Sequence, residues 1–94
     1  MTSKKSLIAQ LEKRYPKISI MEDGNGWILD SDDSFTVSAE DGIMDHRGYD
    51  MFNYWTQNYE YYEFGISTEL VKYLNDHGWY AEWVNPGVVA IVKE

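Results

Sequence analysis

Residues 79–93 read WYAEWVNPGVVAIVK, two runs of β-branched and aromatic residues around Asn85-Pro86-Gly87. Proline presets φ and glycine accepts a positive φ, so the tripeptide predicts a type II turn between strands Trp79 to Val84 and Val88 to Lys93. If Asn85 and Val88 flank the turn, Trp83 lies opposite Ala90 and Ala81 opposite Val92, on a face that also holds Trp79. That face is expected in the core. Tyr80, Glu82 and Val84 then lie beside Val89, Ile91 and Lys93 on the other face, a second candidate for contacts.

Just upstream, Leu70, Val71 and Leu74 share one helical face, with Ser67 placed as N-cap, Glu69 in the first turn and Gly78 beyond the end. His77 sits in the last turn, where positive charge is favourable. At the other end of the chain, Leu7, Ile8, Leu11 and Tyr15 recur at helical spacing between Ser3 and Tyr15, and Pro16 stops the pattern. Ile18 and Ile20 begin a strand that meets the turn cluster Asp23-Gly24-Asn25-Gly26 and resumes at Trp27-Ile28-Leu29. Phe35-Thr36-Val37-Ser38 reads as a third strand, and Glu40-Asp41-Gly42 turns the chain into Ile43-Met44. Between His46 and Gly65 the eight aromatics Tyr49, Phe52, Tyr54, Trp55, Tyr59, Tyr61, Tyr62 and Phe64 break the periodicity. That segment fits a short helix or a long ordered loop. About half of its rings are expected in the core, because a small domain needs them there. The order α-β-β-β-(aromatic segment)-α-β-β predicts an α+β fold, two main helices on a largely antiparallel sheet, in one domain spanning 1–94. No repeat, low-complexity tract or linker interrupts it.

Charge is distributed unevenly along this frame. Residues 18–71 hold twelve carboxylates against one cation, Arg47, whereas the first seventeen residues hold five cations and one acid, Glu12. An acidic stretch interleaved with tyrosine and tryptophan suits a surface that meets a basic partner, since aromatics dominate binding hot spots and acids speed the encounter. The expected contact residues are Asp30, Asp32, Asp33, Glu40, Asp41, Asp45, Asp50, Glu60 and Glu63, with Tyr54, Tyr61 and Tyr62, gathered into one outward-facing patch.

Several chemistries find no support. Absence of cysteine removes disulfides, thiolate metal sites and a cysteine nucleophile. Asp30, Asp32, Ser34 and Asp41 match ligand offsets of a calcium-binding loop, but the sixth position, which needs glycine, is Phe35, so a solvated turn is the better reading. His46 reads as a surface turn residue, no serine lies in a nucleophile elbow, and no phosphate-binding glycine motif occurs. No catalytic residue, cofactor or metal is expected. The net charge of −8 disfavours direct nucleic-acid binding, and the cations Lys4, Lys5, Lys13, Arg14 and Lys17 are read as a solvated helix face. With no apolar run of membrane-spanning length and a charged amphipathic start, the expected compartment is the cytoplasm.

In size, charge and cytoplasmic character the chain resembles small acidic phage-encoded inhibitors of bacterial defence of the anti-CRISPR type, some of which mimic nucleic acid. The resemblance is one of composition. It implies that carboxylates such as Asp30, Asp32, Asp33, Glu40, Asp41 and Asp45 stand in for phosphates in a groove lined by arginine and lysine, in the host cytoplasm for a phage protein. The chain is also similar to bacterial immunity proteins, in which a patch such as Tyr61-Tyr62-Glu63 would cap a basic nuclease toxin. The expected function is therefore a non-enzymatic inhibitor occupying the basic, nucleic-acid-binding surface of a partner protein. A carbohydrate- or small-ligand-binding module is the alternative, and the oligomeric state is left open between monomer and dimer.

Overall fold

The computed structural model describes residues 2–21 and 33–94. Its elements are α1 (Lys4–Arg14), β1 (Ile20–Met21), β2 (Ser34–Ser38), β3 (Tyr62–Glu63), β4 (Ile66–Ser67), α2 (Thr68–Asp76), β5 (Trp79–Asn85) and β6 (Val88–Lys93). The expected turn at 23–26, the strand at 27–29, and Asp30 and Asp32 lie outside the described residues.

Local chemistry fixes both helices. The Ser3 side chain accepts from the Ser6 N–H at 3.2 Å to cap α1, and Lys13 and Arg14 occupy its last turn. Leu7, Ile8 and Leu11 are buried on one face, as their spacing predicts. In α2 the buried residues are Leu70 and Leu74, and Gly78, at φ +81°, turns the chain out of the helix. Ser67 does occupy the N-cap position, yet its side chain makes no cap bond; the hydroxyl is committed to Asp45.

The sheet has the order β1-β2-β6-β5 with every pair antiparallel, so the fold is α+β. Phe35, Val37, Val89, Ile91 and Trp79 join Leu7, Leu11, Leu70 and Leu74 in one cluster, which places both helices on the same face of the sheet. Trp79 is fully buried, 5.8 Å from the Phe35 ring, and its indole N–H donates to Thr2 O at 2.7 Å.

The C-terminal hairpin forms where expected, but its register differs by one residue. Trp83 pairs with Val89 and Ala81 with Ile91, while Asn85 pairs with Val88, an irregularity that inserts Val84 as an extra residue on β5. A one-residue shift exchanges the faces of β6. Val89 and Ile91, expected on the outer face, are core residues beside Trp79, and Ala90 and Val92 face the other way.

Beyond Gly42, Met44 forms an isolated bridge to Asp50. Of the two forms open to the aromatic segment, the ordered loop is the one adopted. Residues 46–65 contain no helix; they form turns closed by the β3–β4 hairpin, in which Glu63 pairs with Ile66 across Phe64 and Gly65. Both loop residues have positive φ, +51° and +81°, the signature of a type I′ turn. At Gly65 an added Cβ would lie 2.7 Å from the backbone oxygen of Asn53. Gly65→Ala is therefore expected to lower stability by about 2 kcal/mol, from left-handed strain plus this backbone clash, read as a lower urea midpoint at unchanged m-value.

Candidate functional site

The segment between Ile43 and Ser67 holds its shape through one buried carboxylate. Asp45 Oδ2 accepts from Arg47 Nη2 at 2.6 Å, Arg47 Nε at 3.0 Å and Ser67 Oγ at 2.7 Å. Asp45 Oδ1 accepts the backbone N–H groups of Arg47 at 2.9 Å and Tyr49 at 3.1 Å. Burial by itself works to raise the Asp45 pKa, but these donors outweigh it and hold the carboxyl below its ordinary range. Arg47 extends the network to Thr68 Oγ1 at 3.1 Å and the Tyr61 carbonyl at 3.3 Å. Its guanidinium lies 5.6 and 5.4 Å from the Tyr49 and Tyr61 ring centres, and those rings stack on each other at 4.6 Å. Asp45 was expected on the contact surface; its residue is only 5 % exposed, because it is the internal counter-ion that ties the loop to the start of α2. Tyr62, also expected there, is 6 % exposed: it pairs with Ser67 inside the β3–β4 hairpin, and burial pushes its phenol pKa up.

Above this anchored base stands an aromatic face. Trp55, Tyr59 and Phe64 are 78, 77 and 85 % exposed, and Tyr54 is exposed beside them. Of the eight rings between residues 49 and 64, only Phe52 and Tyr62 are buried, fewer than the half expected in the core. Tyr54 stands edge-on to Trp55 at 4.8 Å and to Trp83 at 4.9 Å, and Trp83 stands edge-on to Phe52 at 6.1 Å. The Trp83 indole N–H donates to the Phe64 carbonyl at 2.5 Å, fixing the hairpin tip against β5. A recess of about 360 Å³ opens between Tyr54, Tyr59, Phe64 and Trp83. Its loop is shaped by local bonds: Asn53 N–H to Gly65 O at 2.7 Å, and the Glu60 and Tyr61 N–H groups to Asn58 Oδ1 at 3.1 and 3.3 Å.

Carboxylates lie on two sides of these rings. Glu40 and Asp50 line a shallow recess of about 210 Å³ that includes Phe52. Glu63 and Glu82 line a second, of about 410 Å³, that includes Phe64 and Trp83. Phe52 touches the first recess and packs on Trp83, so the rings connect the two acidic ends. Asp33, Asp41 and Glu60 are exposed, and Tyr61 is half-buried on Tyr49. Glu40, Asp50, Glu63 and Glu82 thus line two different recesses, with Asp45 turned inward. Glu69 is likewise engaged, accepting from Tyr15 Oη at 2.5 Å and from the His46 N–H at 3.1 Å. Burial, then this bond to Glu69, pushes the Tyr15 pKa up. His46 is half-exposed, as a turn residue would be, with Nε2 donating to Arg14 O at 3.0 Å and its ring against Tyr15.

Trp55, Tyr59, Phe64 and Trp83 belong to this site and were not among the contact residues expected from sequence, and Glu82 was expected only on the second candidate face of the C-terminal hairpin. The available signal was Phe64-Gly65: a glycine between two short extended runs marks a hairpin tip, and a ring at such a tip has little to pack beneath it. Among the described residues, no group of three His, Asp or Glu side chains is arranged to hold a metal ion, and no helix is long and apolar enough to cross a membrane. No family model, curated protein or solved structure significantly matches the chain.

Proposed function

We propose that this chain is a non-enzymatic binding protein that seats its aromatic face on a basic surface of a partner protein and so competes with nucleic acid for that surface. The observation that carries the reading is the group Trp55, Tyr59 and Phe64, each more than three-quarters exposed, with carboxylates at both ends of the connected rings. Large rings left in water by a protein this small suggest a patch that another molecule covers. The acidic ends favour a cationic partner, which they would steer into encounter while the rings slow its release. The face is held by hydrogen bonds before any partner arrives, so little ordering entropy would be lost on association.

Affinity capture from the native host tests this, run in parallel at about 0.05 M and 0.5 M salt, where screening lengths differ roughly threefold. The expected result is a basic protein retained at low salt, lost at high salt, and displaced by added nucleic acid. A partner that resists salt and nucleic acid alike overturns the proposal. The same rings would serve the alternative, a sugar-binding module, for which retention would be insensitive to salt and reversed by free saccharide.

A further inference from the structure

We infer that the recess between Glu63 and Glu82 receives an arginine side chain of the basic partner, an assignment that rests on the protein-binding reading and adds the recognition element to it. Between the two acids the recess is lined by apolar Ile66, Val71 and Ala81, by the rings Phe64, Tyr80 and Trp83, and by Asn75. Both carboxylates are exposed, and neither side chain has a hydrogen-bond or ion-pair partner among the described residues. An arginine matches the apolar, aromatic and acidic parts of that lining. Its methylene stem would lie on the apolar side chains, its planar guanidinium would stack on a ring, and its N–H fork would reach the carboxylates.

The fold itself supplies the precedent. The chain has two arginines, and both lie against rings, Arg47 with a carboxylate in direct contact and Arg14 linked to one through a tyrosine hydroxyl. Arg47 sits over Tyr49 and Tyr61 with Asp45 at 2.6 Å. Arg14 sits 5.4 Å from the Tyr15 ring centre and 4.7 Å from that of Tyr73, and its Nε donates to Tyr15 Oη at 3.1 Å, the hydroxyl that binds Glu69. The recess at Glu63 and Glu82 repeats these ingredients, and no arginine remains in the chain to fill it. An arginine guest would come from another molecule.

The test titrates N-acetyl-arginine methylamide into nitrogen-15-labelled protein and follows the amide signals of Glu63, Phe64, Ala81 and Glu82 and the Trp83 indole N–H. The citrulline analogue serves as the neutral isostere. Saturable shifts confined to these signals are expected for arginine and not for citrulline. The double variant Glu63→Gln with Glu82→Gln should weaken the interaction by about tenfold, two exposed ion pairs' worth. Both sites are on the surface, so the variant should retain its unfolding temperature. Equal shifts with citrulline, shifts located elsewhere, or none at all overturn the assignment. Recess signals that move with protein concentration alone overturn it too, by naming a second copy as the occupant. A captured basic partner whose affinity ignores the double variant removes the arginine site and leaves the binding reading standing. Arginine binding without any basic partner in the capture experiment has the reverse meaning.

Discussion

Asp45→Ala is expected to lower folding stability by about 3 kcal/mol, the sum of unsatisfied donors and an orphaned cation. The substitution strips the acceptor from the Ser67 hydroxyl, from two backbone N–H groups and from the Arg47 guanidinium at once. About a third of the Arg47 side chain reaches solvent, so the cation can recover some hydration, which keeps the figure at the lower end for a broken buried pair. Asp45→Asn should be nearly as damaging, because one of its amide positions would turn N–H groups toward Arg47 and Ser67. The pH dependence follows from the direction of the shift. A carboxyl whose native pKa lies below its unfolded value contributes fully above the unfolded range and loses that contribution as pH falls through the native value. The stability gap between the native protein and Asp45→Ala should thus be constant near neutrality and close below about pH 4. Urea unfolding across that range measures it; a gap that persists undiminished into acid would refute the ion-pair account.

Phe64→Asn should separate stability from binding in opposite directions. Phe64 adopts φ +51°, a conformation that bulky residues avoid, whereas asparagine followed by glycine is the preferred pair for a type I′ loop. Relief of that strain is expected to raise stability by about 1 kcal/mol. The bond from Trp83 goes to the backbone carbonyl of residue 64 and is preserved by the substitution. Loss of the most exposed ring among the described residues should meanwhile lower affinity for the basic partner by about thirtyfold, the effect of one aromatic hot spot. Paired thermal unfolding and titration calorimetry read both quantities. A variant that is more stable and binds undiminished would remove Phe64 from the contact face.

The elements dominated by periodicity were legible from residue order. Both helices follow the spacing of Leu7, Leu11, Leu70 and Leu74, and the turn at Asn85-Pro86-Gly87 lies where its residues direct. The pairing within that hairpin was not legible, because the extra residue at Val84 has no composition signal, and that one residue decides whether Ala90 or Ile91 faces the helices. At the site the difficulty was of another kind. Tyrosine and tryptophan rings that are core in one small protein are surface in another, and burial is set by three-dimensional neighbours. Asp45 shows the same limit: apart from Arg47, nothing in the local sequence separates it from Asp41 or Asp50. The closeness of Arg47, two residues on, hinted at a pair, but Ser67 completes the buried site from more than twenty residues away.

The Asp45 lock also has a bearing on motion. The amides of Asp45, Gly48, Tyr49, Met51 and Ser67 are all hydrogen-bonded although almost none belongs to a strand or helix. Because the Asp45 carboxylate joins the Arg47 and Tyr49 amides, the Arg47 guanidinium and the Ser67 hydroxyl, the segment should open as a unit, not fray residue by residue. In deuterated water its hydrogens would exchange together and slowly, keeping pace with the sheet, and limited proteolysis would find this irregular stretch a poor substrate.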